Sequence, residues 1–147
     1  MSAVDSFETA LLELLFNNTA IANIGDATGL PATADPGSTQ LALATVAYID
    51  ADTLLTADEV AYTGYARPLQ ARSSAGWTVS GDTADNAALI QFGEMTAGGP
   101  DTVVHLGHGF IATGDVLRLH ADLNADLVIN DGVNPQFAIG ALAWTLA

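Results

Sequence analysis

Val116-Leu117-Arg118-Leu119-His120-Ala121-Asp122-Leu123 sets apolar Val116, Leu117, Leu119 and Leu123 around polar Arg118, His120 and Asp122. Side chains that point by turns to two faces mark a strand with one face buried. Outward from it, other short segments share strand length and composition: residues 40–47, 65–72, 76–81, 87–92, 102–106 with a continuation through 107–112, 127–129 and 137–146. Gly, Pro, Asn and Asp separate them, as in Ala97-Gly98-Gly99-Pro100, and these residues favour turns. About six to eight short strands with no helices between them predict an all-β fold, an antiparallel β-sandwich or jelly roll. A parallel α/β sheet needs crossover helices, and no short-period repeat points to a solenoid or propeller.

One helix is expected, over residues 5–16. Phe7, Ala10, Leu11, Leu14 and Leu15 fall on one helical face, and Leu12 and Phe16 widen it. Asp5 and Glu8 have the spacing of a capping box, and both acids suit the positive end of the helix dipole. A helix this short is marginal alone. It must pack either on its own domain or, as an arm, on a neighbouring subunit. Phe7, Leu11, Leu14 and Leu15 are the candidate interface, with Trp77, in its short strand between glycines, as a second candidate anchor or a core aromatic. Asn17-Asn18 ends the helix, and Gly25, Gly29, Pro31, Pro36 and Gly37 punctuate the stretch up to residue 38. The expected organisation is a single β-domain over 1–147, with 1–20 as the helical arm and 21–38 as an extended loop.

Composition limits the function. Half of the 147 residues are hydrophobic and 14% are charged, against roughly 25% charged in an average chain. Seventeen acids face three arginines and no lysine, for a net charge of −14. Binding duplex nucleic acid needs several cations to displace counterions, so a nucleic-acid partner is not expected. The charge fits a solubilised surface or a salty setting that screens repulsion. There is no cysteine, which removes disulfides, thiolate catalysis and thiolate metal sites. No apolar run approaches the roughly 18 residues of a membrane-spanning helix, and the acidic start does not resemble a secretory leader.

Motifs for chemistry are sparse. His105 and His108 point to opposite faces of a strand, and His120 can lie across from either one. Asp50, Asp52, Asp122 and Asp126 supply oxygen ligands, but no stretch has the calcium-loop pattern. Ser73-Ser74 lacks a glycine elbow, and without lysine no phosphate loop of the Gly-Lys type exists. The expectation is a protein without catalytic residues, metal or cofactor, and not an enzyme.

Residues 59–72, Glu59-Val60-Ala61-Tyr62-Thr63-Gly64-Tyr65-Ala66-Arg67-Pro68-Leu69-Gln70-Ala71-Arg72, hold two of the three arginines and two of the three tyrosines. Arginines this rare are poor surface filler. Glu59, Tyr65, Arg67 and Arg72 are therefore the expected structural tie, with Glu59 the first partner of Arg67. Pro68 biases Arg67 towards an extended conformation.

Nearly the whole chain resembles a group of small β-rich virion proteins of tailed bacteriophages, variously tail-fibre-like or head-decorating. The resemblance is carried by the helix over 9–16, a strand like 39–44, Glu59 followed by Tyr65-Ala66-Arg67, and Asn86 leading to Phe92. Val103-Val104-His105, a glycine turn and leucine strand over 114–119, Gly132 to Phe137 and Gly140-Ala141-Leu142 complete it. The chain departs from the pattern over 107–110, where an extra histidine and glycine replace an apolar-aspartate turn. The resemblance implies a structural virion protein with no catalytic residues. Its first form is a capsid decoration, or cement, protein on the outer capsid surface that bridges subunits of the major capsid protein. Such a protein self-associates as a homo-oligomer, such as a trimer, and has no membrane partner. The alternative form is a tail-tip or tail-fibre component that binds a host surface glycan.

Overall fold

Long alternating segments in the C-terminal half become the longest strands of the fold, and the short ones become hairpin arms. A computed structural model describes residues 3–25 and 29–146. In chain order the elements are α1 (Asp5–Asn17), β1 (Ser38–Ala44), β2 (Leu69–Ala71), β3 (Trp77–Ser80), β4 (Thr83–Asn86), β5 (Ile90–Gln91), β6 (Asp101–Phe110), a 3₁₀ turn (Ile111–Thr113), β7 (Leu119–Ile129), β8 (Gln136–Phe137) and β9 (Ala143–Thr145). The fold is all-β, with antiparallel sheets and one short N-terminal helix. The chain divides into two compact units, Met1–Gly37 with Gln70–Ile90 and Phe137–Ala147, and Ser38–Leu69 with Gln91–Gln136.

In the first unit β4 is the centre of a sheet with β3 and β9. Gly81-Asp82 closes the β3–β4 hairpin between paired Ser80 and Thr83, and Gly81 takes φ +61°, a conformation that two-residue hairpin turns need. Helix α1 buries Glu8, Leu12 and Phe16, spaced i, i+4, i+8 along one face. The Phe16 ring meets Trp77 at 4.7 Å between centroids. The helix has Val4 at its N-cap, without a side-chain cap bond. Asp5 is thus the first helical residue rather than the cap, and the expected capping box does not form; Asp5 and Glu8 still place negative charge in the first turn. Asn18, at φ 57°, ends the helix as the sequence indicates, and Thr19 N–H donates to Glu13 O at 3.0 Å.

In the second unit β6 lies between β1 and β7. The β1–β6 pairing runs from Thr39↔Phe110 to Ala44↔His105. The β6–β7 pairing is interrupted: between His105↔Asp122 and Val103↔Leu127, β6 advances two residues while β7 advances five. That bulge breaks the outer edge of the sheet, as edge strands commonly require. One cluster of buried residues joins Ala42, Ala44, Tyr48, Leu55 and Leu117. A Cβ at 107 would stand 2.8 Å from Leu55 Cδ2 and 2.9 Å from Tyr48 Cε2, so even alanine there would have to push these side chains aside. The 107–110 segment, where the resemblance lapses, simply prolongs β6.

Several expected boundaries move, and the strand expected over 137–146 forms only at its ends, as Gln136–Phe137 and Ala143–Thr145. Residues 65–68 are not strand; only Leu69–Ala71 is, because Pro68 has no N–H to give a ladder and the side chains before it are engaged elsewhere. The strand expected over 87–92 shrinks to Ile90–Gln91. Thr83–Asn86, in which only Thr83 favours strands, pairs on both sides instead. The strand read from Val116 starts at Leu119, while Val116 forms an isolated bridge to Leu54.

Candidate functional site

Four of the residues expected to matter, Glu59, Tyr65, Arg67 and Arg72, separate into two groups. In the second unit Arg67 meets Glu59 as a fork: Nε donates to Oε1 at 2.6 Å and a terminal nitrogen to Oε2 at 2.5 Å. Its other terminal nitrogen lies 2.5 Å from Asp115 Oδ1 and 3.3 Å from Gln40 Oε1. The paired side chains are mostly buried, 16% exposed for Arg67 and 12% for Glu59, whereas Asp115 is 56% exposed. Hydrogen bonds to the two carboxylates and their charge hold the Arg67 proton more firmly than usual, against the opposing pull of burial. Tyr65 completes the group. Its hydroxyl accepts the Leu43 N–H at 3.1 Å and bonds Glu59; burial first, and then Glu59, push its ionisation well above the ordinary value. Residues 59–67 are thus fixed by side chains beside β1, with Val60 N–H on Leu43 O at 2.9 Å.

In the first unit Arg72 does a different job. Its Nε donates to Leu15 O at 2.7 Å and a terminal nitrogen to Leu14 O at 2.5 Å. These are carbonyls of the last turn of α1, which the helix itself leaves unpaired. The helix has no basic residue in that turn; Arg72 supplies the charge from 57 positions away. Burial pulls the Arg72 proton affinity below its usual value.

Among the candidate interface residues, Trp77 is fully buried in the core of the first unit. Phe7 is 41% exposed and Val4 67%, and Leu11, Leu14 and Leu15 are half-buried. The sequence pattern singles out that stripe because it is the longer one, but the fold packs the shorter Leu12–Phe16 stripe inside.

Two features escape sequence reasoning. Asn86 is 1% exposed, and its side chain links three backbone groups. Nδ2 donates to Ala88 O at 2.8 Å and Ala138 O at 2.9 Å, and Oδ1 accepts Leu142 N–H at 2.9 Å. An Asn at the head of an apolar strand is the one available signal, since such a residue is buried only when its amide is satisfied. The second feature is a row of four polar side chains. His105 Nε2 and His120 Nδ1 are 3.2 Å apart. Asp122 Oδ1 is 3.3 Å from His105 Nδ1, and Asp50 Oδ1 is 3.4 Å from His120 Nε2. The regular register from His108↔Leu119 to His105↔Asp122 sets Asp122 opposite His105; the sequence allows His120 to lie across from His105, but no spacing announces the two carboxylates that flank the pair. Among the described residues, no group of three or more His, Asp or Glu side chains is placed to hold a metal ion.

Residues 2–145 match the family described as Podophage GP4 fiber I protein gp80. The match spans nearly the full sequence, and the chain belongs to that family: it is a bacteriophage structural protein of the virion. No curated protein matches the sequence.

Proposed function

We propose that this family member is an external, non-catalytic subunit of a tailed-phage virion, carried in its fibre apparatus and contacting a glycan of the host surface. The family's description as a fibre protein, over residues 2–145, carries this reading. The exposed stripe of α1, Val4 and Phe7 with half-buried Leu11, Leu14 and Leu15, is the surface we assign to attachment on a neighbouring virion subunit. It is apolar, and the unit's own core is filled by the opposite stripe.

A second reading is favoured by the charge. At −14 in 147 residues, the chain is repelled by packaged DNA and suits the outer face of the head. There it acts as a decoration protein that bridges neighbouring copies of the major capsid protein, each copy adding an interface of roughly 1,600 Å² and trimers closing about the threefold axes.

Copy number separates the two. A stained gel of purified particles with a handful of copies per virion supports the fibre reading. Hundreds, near one per major capsid subunit, support decoration. Absence from purified particles removes both. In either position Phe7→Asp lowers the amount retained on particles while leaving the melting temperature of the free protein nearly unchanged. Retention also weakens as salt is lowered, since like-charged copies repel over a longer Debye length.

A further inference from the structure

The row Asp50···His120···His105···Asp122 joins three segments of the second unit: β6 provides His105, β7 provides His120 and Asp122, and the loop after β1 provides Asp50. His105 is 4% exposed, and both imidazole rings lie against Tyr48, at 5.7 and 6.3 Å between centroids. Tyr48 is itself fixed by its hydroxyl on Leu55 O at 2.6 Å.

The number of hydrogens on the rings decides what this row can be. Two neutral imidazoles carry two N–H groups on four nitrogens. One must lie between the rings, because Nδ1 and Nε2 at 3.2 Å need one donor and one acceptor. That leaves one N–H for two carboxylates, so one carboxylate faces an imidazole lone pair. A third hydrogen removes the conflict: one remains in the middle, and each carboxylate faces a positively charged pair at 3.4 Å (Asp50) and 3.3 Å (Asp122), ion-pair contacts rather than closed hydrogen bonds, since His105 Nδ1 has no hydrogen-bond partner. A fourth places N–H against N–H between the rings, with two positive charges in contact. Only the singly charged pair satisfies all three contacts.

We propose that His105 and His120 act as one unit that holds a single shared proton, and that this proton clasps the loop carrying Tyr48 and Asp50 to the β6–β7 sheet. A second proton breaks the clasp. The titratable groups facing the pair are Asp122 from β7 and Asp50 and Tyr48 from the loop. On β1 the residue opposite His105 is Ala44, and Glu59, bridged to Ala44, is taken by Arg67. Burial lowers the proton affinity of His105 and the charge of His120 lowers it further, while Asp122 opposes them. His105 is therefore the ring that refuses the second proton. Acidification then releases the loop of residues 45–58, whose Val46, Ile49 and Leu54 side chains are already exposed, and makes it available for rearrangement.

The experiment is a ¹⁵N imidazole NMR titration of the whole protein, with amide exchange of residues 45–58 followed at each pH. The pair takes up its protons in two steps separated by more than about one pH unit, as strongly coupled groups do, and loop exchange accelerates with the second. In His120→Gln, His105 titrates in a single step closer to the ordinary imidazole value. In Asp50→Asn, an exposed change that leaves the core untouched, the two steps draw together. Coincident steps in the wild type overturn the proposal. So does a His105 titration that His120→Gln leaves in place, or a separation that Asp50→Asn does not narrow.

Discussion

Each unit spends one of the chain's three arginines on an internal tie, and the two ties work differently. Arg67 binds charge to charge: a forked contact with Glu59 at 2.6 and 2.5 Å, both groups mostly out of water. Arg72 binds charge to dipole: it meets the carbonyls of Leu14 and Leu15 at the end of α1. The difference decides what each removal leaves behind. Without Arg67 a carboxylate is stranded with a full charge. Without Arg72, neutral carbonyls are left near the surface, where water can replace the lost donors. The chain can thus be acidic outside and still stable inside, because two of its three cations sit where their loss costs most.

The largest effect is expected at the first tie. Arg67→Ala leaves Glu59 buried and unpaired, a change that costs about 3 kcal/mol in mostly buried pairs. Arg67→Lys recovers only part of it, because an ammonium cannot reproduce the two-pronged contact. Urea denaturation of the free protein measures both. A loss under about 1 kcal/mol for Arg67→Ala would mean that Glu59 finds water, and that the contrast between the ties is false. Arg72→Ala comes next, at about 2 kcal/mol for charged hydrogen bonds at a helix terminus. Its amide exchange should rise first in α1, while β6 and β7 stay protected. Uniform loosening of both units would break the comparison.

How much of this is legible in sequence differs between the units. The second unit's long strands show in the alternation of 116–123 and the valine-rich run from Thr102. Glu59 is legible as a partner because the chain has so few cations and because it lies eight residues from Arg67 in one stretch. Asp115, 48 residues on, is not: only the pairing of β6 brings its loop near. The first unit reads less well. Its middle strand, Thr83-Ala84-Asp85-Asn86, has little strand propensity and is held by neighbours on both sides and by the buried Asn86 amide. Helix α1 is legible, but the choice of buried face is not. Both stripes are apolar, and Trp77, from a distant hairpin, selects Leu12 and Phe16. Arg72 is invisible as a helix cap for the same reason, since the carbonyls it serves lie 57 and 58 positions back.

A smaller effect concerns pH and falls in the second unit alone. Burial lowers the proton affinity of His105 in the fold, so below its unfolded value of about 6.5 the unfolded chain takes up a proton that the folded one refuses. The stability that rests on His105 refusing this further proton is whole above that pH. It is lost as pH falls towards the lowered folded value. His105→Gln should flatten the fall in melting temperature across this window. A slope that survives unchanged in His105→Gln would assign it to the carboxylates and remove the histidine from the second unit's account.

The smallest effect is expected from the third arginine, and it is the control that gives the other two their meaning. Arg118 is exposed, on the approach to β7, and its backbone N–H rather than its side chain is what the sheet uses, donating to His108 O at 2.8 Å. Arg118→Ala makes the net charge one unit more negative, as Arg67→Ala and Arg72→Ala do, yet strands no buried group. Its cost should stay within about 0.5 kcal/mol, the usual range for surface changes. If Arg118→Ala instead destabilises as much as Arg72→Ala, the losses at all three positions reflect self-repulsion of an acidic chain. Added salt would then rescue all three variants alike. If only the two buried ties are costly and salt leaves their losses in place, local geometry decides stability here, and the acidic surface is free to serve assembly.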